Sequence, residues 1–107
     1  MLGKFLLGGM TVFAAVTWAA ASSTHTVIMK SISYDPKILE IRVGESVDWE
    51  NKSYTEHSAT ADDSGFDTAL IPPGKKTKKI EFSKAGIYKY HCSMHGKAMS
   101  GQIVVKD

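Results

Sequence analysis

Cysteine is nearly absent from this 107-residue chain, which holds only Cys92. One cysteine excludes an internal disulfide framework and any all-cysteine zinc or iron–sulfur site in the monomer. A large excess of one charge is also lacking. Lys and Arg number 13 against 11 Asp and Glu, and a net charge of +2 is too mild to point to nucleic acid. Proline is confined to Pro36, Pro72 and Pro73, and neither repeats nor a linker-like stretch break the chain. Nowhere do apolar residues recur at the helical period of 3.6. What remains, 43% hydrophobic and 22% charged residues, is ordinary globular composition. It excludes collagen-like, coiled-coil and broadly disordered chains. The length allows one domain.

Charge is missing from one segment in particular. Lys4 is the only charged residue before His25, and Phe5 to Ala21 is an apolar stretch ending in Ala19-Ala20-Ala21-Ser22. A charged start, a short apolar core and an A-x-A site read as a secretory signal peptide over residues 1–21. At about 17 apolar residues the stretch lies at the lower edge of spanning length, so an uncleaved membrane anchor is the alternative. No cysteine near the cut could carry a lipid. Cleavage leaves residues 22–107 as a single exported, periplasmic domain. So small a domain without disulfides needs an efficient β core or a metal.

The rest of the chain is built of short β-prone runs between turn signals. Leu39, Ile41 and Val43 alternate with Glu40 and Arg42, and Val47 and Trp49 with Asp48 and Glu50. Further strands are expected at Thr26–Met29, His57–Ala61, Lys78–Phe82, Ile87–Cys92 and Gln102–Val105. Turns are expected at Gly44-Glu45, at Asp62–Gly65 and at Ile71–Gly74, where proline cannot serve a central strand. Ser83–Gly86 reads as a hairpin loop. About 7–8 strands at this spacing predict an all-β antiparallel sandwich.

The chemistry lies in Cys92-Ser93-Met94-His95-Gly96-Lys97-Ala98-Met99. Thiolate, imidazole and thioether are the donors that suit copper, and a Cys–His–His set with a weak axial Met describes a blue-copper electron-transfer site. Three of those four donors fall within this segment. A second His must come from elsewhere, and His57 is the best candidate. Taken singly, a lone Cys is most often inert and buried, and a lone Met is usually core. Their combination on one loop is what points to a metal. A metal-bound thiolate also explains an unpaired cysteine in an oxidising compartment, where free thiols pair or oxidise. Met94 competes with Met99 for the axial position. His91 precedes Cys92 on a strand and so faces the opposite side. The sequon Asn51-Lys52-Ser53 is read as chance.

These residues resemble the cupredoxins of the plastocyanin, amicyanin and pseudoazurin group, over nearly all of residues 22–107. Tyr34-Asp35-Pro36 through Trp49-Glu50-Asn51 is similar to that family's second and third strands. Glu81 through Tyr90-His91-Cys92 is similar to the strand pair leading into its copper loop, closest to amicyanin. The resemblance implies a Greek-key sandwich holding one type 1 copper ion. It implies His57, Cys92 and His95 as equatorial ligands and Met99 as the axial one. Three departures stand out. Met94 replaces a frequent Pro. The His95–Met99 spacing is one residue longer than in amicyanin and one shorter than in plastocyanin. Ser58 stands where many relatives place an Asn that hydrogen-bonds across to the copper loop, which leaves that bond open here, while Ser93 can bond the Cys92 side of the loop.

The implied function is a soluble periplasmic electron carrier, not an enzyme, cycling Cu(II)/Cu(I) between a donor and an acceptor protein. Copper delivery or storage through the same four residues is the runner-up. The protein is expected to be a monomer, free of the membrane after cleavage. With Ser83–Gly86 as a hairpin, Lys76–Lys78 fall level with His91–Cys92, so the basic cluster of Lys75, Lys76, Lys78 and Lys79 begins at the copper end, and redox partners are expected to dock near Lys75 and Lys76, at the His95 end.

Overall fold

A computed structural model describes residues 23–107; the leader assigned to residues 1–21 lies outside them. The described chain forms eight strands: β1 (Thr24–Met29), β2 (Tyr34–Asp35), β3 (Ile38–Arg42), β4 (Ser46–Asn51), β5 (Thr60–Ala61), β6 (Ile80–Glu81), β7 (Gly86–Cys92) and β8 (Gly96–Lys106). They make two four-stranded sheets, in the orders β2-β1-β4-β6 and β3-β8-β7-β5. The all-β sandwich is therefore as expected. Its sheets are mixed rather than purely antiparallel, because β1 runs parallel to β4 and β3 parallel to β8. From β2 to β7 the chain alternates between the two sheets strand by strand, and each parallel pair joins strands that a crossover separates.

Period-2 patterning decides which side of each strand is buried. In β8, Met99, Gly101, Ile103 and Val105 face inward while Ser100, Gln102 and Val104 lie between them, half-exposed. In β7, Tyr90 and Cys92 are inward. β4 lies between β1 and β6, so even its polar Ser46 and Asp48 are covered. The two inner faces meet through aromatic rings. Trp49 of one sheet packs edge-on against Tyr90 of the other at 5.4 Å between centroids and stacks on Phe66 at 5.7 Å. Tyr90 in turn lies close over Gly101, where a Cβ would come within 2.6 Å of its hydroxyl oxygen. Only glycine lets the strand pass so close to the ring.

Two strand expectations shrink. Of His57–Ala61 only Thr60–Ala61 joins a sheet. The segment also pairs with the returning chain through isolated bridges, His57 opposite Ile71 and Thr60 opposite Asp67. Of Lys78–Phe82 only Ile80–Glu81 is strand. The Ser83–Gly86 hairpin is also corrected. β6 pairs with β4, whereas β7 pairs with β5 and β8, so this connection crosses from one sheet to the other. Phe82 donates its N–H to the Glu45 carbonyl and accepts from Gly44, which keeps β6 on the β4 side. The hydroxyl of Tyr88 closes the crossing by donating to the Lys84 carbonyl at 2.6 Å.

Candidate metal centre

Cys92 ends β7, and a register shift between His91 and Cys92 sets it opposite Gly96. The intervening Ser93-Met94-His95 is a tight turn, closed by the His95 N–H donating to the Cys92 carbonyl at 3.2 Å. Gly96 accepts the left-handed φ of 59° that such a turn requires. The segment expected to be one long loop is thus a short turn followed at once by β8, and Met99 sits on an inward position of that strand. The turn folds His95 back beside Cys92, while the sandwich brings His57 from the connection between β4 and β5.

One donor atom from each of His57, Cys92 and His95 lies within 4.8 Å of the other two. Cys92 Sγ is 3.6 Å from His57 Nδ1, and the two imidazole centroids are 5.3 Å apart. His57, Cys92 and Met99 are fully buried, and His95 is half-buried. Met99 shares the core cluster with Cys92, whereas Met94 stands 59% exposed on the turn. Burial holds the His57 imidazole below its ordinary pKa, and the neighbouring His95 adds to the effect. A neutral ring with its nitrogen lone pair free is the form that ligates a metal. His57 Nε2 lies 3.4 Å from Thr55 Oγ1, an outer partner for the nitrogen turned away from the cluster.

The segment carrying His57 is tied down on several sides. The buried Asn51 amide donates to the carbonyls of Thr55 and Ile71, both at 2.8 Å, and accepts from the backbone and hydroxyl of Ser53. Each bond fixes the ends of the chain around His57. The buried side chain also leaves no room for a glycan on the Asn51 sequon. The Tyr34 hydroxyl donates to the Ser58 carbonyl. Burial first, and then the neighbouring Cys92 and Tyr90, push its phenol above the usual range, so that proton stays in place.

Ser58 makes the bond that the sequence left open. Its hydroxyl oxygen accepts from the Ser93 N–H at 2.9 Å and lies 3.2 Å from Ser93 Oγ. Serine therefore makes the link to the turn in place of asparagine. Thr60 and Asp67, which extend this link outward, carry no signal in the sequence. The other histidines lie apart. His91 Nδ1 meets Asp62 at 2.6 Å, and His25 meets Glu45 at 3.1 Å.

The Cupredoxin-like domain family model matches residues 4–105. The chain is 31% identical to a plastocyanin of Synechococcus sp. (strain JA-2-3B'a(2-13)), over 98% of this chain and 89% of that protein. It is 31% identical to an amicyanin of Paracoccus denitrificans, over 80% of this chain and 68% of that one. Among solved structures it is similar to a purple cupredoxin from Nitrosopumilus maritimus, with a TM-score of 0.69 and 26% identity, covering 77% of this chain and 99% of the other. The chain belongs to the cupredoxin-like family. Its cofactor is one copper ion, and the residues fit that ion: a buried thiol and two imidazoles converge, and the buried thioether of Met99 belongs to the hydrophobic core that holds the thiol.

Proposed function

We propose that this protein is a periplasmic electron carrier, with His57, Cys92 and His95 as equatorial copper ligands and Met99 as the axial one. The observation that carries the reading is the convergence of one thiol and two imidazoles within 4.8 Å, one of them half-exposed. Bound copper supplies a one-electron Cu(II)/Cu(I) couple. The chain's own part is to hold its donors still, so that little reorganises as the electron passes. Asn51 and Tyr34 hold the His57 segment, and the β7–β8 turn holds Cys92 against His95. The half-exposed His95 is the natural port for electrons, since the other three donors are sealed from solvent. The leader-like residues 1–21 support export.

An acidic redox partner is proposed to approach over Lys75. Asn51 donates its backbone N–H to the Lys75 carbonyl at 2.8 Å, which fixes Lys75 at the site end of β4. From there residues 76–81 run back along β4, so Lys76 is one step further from the site and Lys78 further still.

The visible spectrum of the copper-loaded, oxidised protein tests the site. An intense blue thiolate-to-copper band is expected, and Cys92→Ser should abolish it, because a hydroxyl cannot replace the thiolate. A Cys92→Ser protein that stays blue sinks the assignment. Loss of the ion on reduction, in the presence of a Cu(I) acceptor, favours copper delivery instead.

A further inference from the structure

A row of side-chain oxygens runs from the protein surface to the turn beside Cys92. Thr60 Oγ1 donates to Asp67 Oδ1 at 3.0 Å and lies 2.8 Å from Ser58 Oγ. Ser58 Oγ in turn accepts the Ser93 N–H at 2.9 Å and can donate to Ser93 Oγ at 3.2 Å. Asp67 is held in place by the Ala69 N–H, which donates to the same carboxylate oxygen at 2.8 Å.

Proton counting gives this row a direction. Each hydroxyl has one proton, and an ionised carboxylate only accepts. Thr60 must spend its proton on Asp67, so in the contact with Ser58 it can only accept. The single Ser58 proton therefore goes to Thr60, at 2.8 Å, in preference to Ser93 Oγ at 3.2 Å. That leaves the oxygen lone pairs of Ser58 facing Ser93 and the turn that follows Cys92. Without the Asp67 acceptor, Thr60 is free to donate inward, and the Ser58 proton swings toward Ser93. The negative end of the Ser58 dipole then no longer faces the site.

We propose that Asp67 is a positioning residue for the copper centre: through Thr60 it orients the Ser58 hydroxyl and so holds the reduction potential down. Lone pairs aimed at the site favour the more positive Cu(II) state, and reversal of the dipole favours Cu(I). The inference rests on the copper reading above.

Three variants separate this relay from the plain charge of Asp67. Thr60→Val keeps the charge and breaks the row, with a β-branched isostere suited to an edge strand. Asp67→Ala removes both acceptor and charge. Asp67→Asn removes the charge but keeps an oxygen for Thr60 and Ala69. At high salt, where exposed charge is screened, the potential should rise alike in Thr60→Val and Asp67→Ala and hardly move in Asp67→Asn. In the copper-free protein the Ser93 amide proton should move upfield in the first two variants only, since its acceptor then bonds onward through the longer 3.2 Å contact to Ser93 Oγ instead of the 2.8 Å one to Thr60 and is less polarised. A Thr60→Val potential and Ser93 amide shift equal to wild type, with Asp67→Ala and Asp67→Asn indistinguishable, overturn the relay. That result in a protein that still shows its blue band leaves the copper reading standing. A wild-type protein with no such band removes the basis of both.

Discussion

At the scale of single residues, burial bears on what spacing leaves open. Met94 and Met99 compete on sequence alone, because both lie near His95. The exposed Met94 sits on the turn, and Met99 is sealed on β8 in the same hydrophobic core as Cys92. Met99→Leu should therefore keep copper bound and the blue colour largely intact, because a long axial bond adds little to affinity. The potential should rise, since loss of the thioether favours Cu(I). Voltammetry checks this, and complete copper loss under conditions that keep wild type loaded would count against the axial role. The convergence of His57, Cys92 and His95 is legible in the sequence because thiol, imidazole and thioether seldom crowd into one short segment unless they bind a soft metal. Ser58, Thr60 and Asp67 are not legible there. Their bonds depend on chain 57–60 lying against chain 67–71, a pairing with no local pattern, and serine and threonine are common everywhere.

At the scale of elements, the strands are readable where alternation is clean, as in Leu39–Val43 and Val47–Trp49. Strand propensity overshoots where pairing is irregular. His57–Ala61 carries strand-like residues, yet most of it is held by isolated bridges and side chains. The sheet partner of β6 escapes the sequence because a short turn-like segment suits a hairpin and a sheet crossing equally well. The element most exposed to single changes is the His57 segment. Asn51→Ala removes two donors and an acceptor used twice, leaving the part-buried carbonyls of Thr55 and Ile71 with fewer partners. Groups stranded in this way cost about 1–3 kcal/mol each. The copper-free variant should lose about 2–4 kcal/mol in urea unfolding. Its loaded form should also release copper faster to a chelator, because His57 is less fixed. Wild-type stability together with a wild-type release rate would show that Asn51 is not what holds His57.

For the whole molecule, fold, stability and metal are linked through the same buried groups. The His57 imidazole has its folded-state pKa below the ordinary 6.5, through burial and then His95. Below that ordinary value the unfolded chain takes up a proton that the folded copper-free protein resists. Copper-free stability should thus fall as pH drops from about 7.5 to 5.5, read as a lower urea midpoint. An unchanged midpoint would mean that His57 is not buried neutral. The surface charge acts at longer range. Lys75 stands at the site end, and Lys76 is only loosely paired, 3.8 Å from Asp48. Unlike changes to the buried side chains, changes to these exposed charges leave the site's geometry in place, and the charges can steer an approaching anion. Their reach is about 10 Å at 0.1 M salt. Reversing both to Glu should leave the blue spectrum unchanged. It should slow oxidation of the reduced protein by ferricyanide, an anionic probe, at low ionic strength. Wild-type rates should fall as salt is added, because attraction is screened, whereas the variant's should fall less or rise. Rates and salt slopes equal to wild type would make Lys75 and Lys76 an ordinary solvated strip, with partners docking elsewhere around His95.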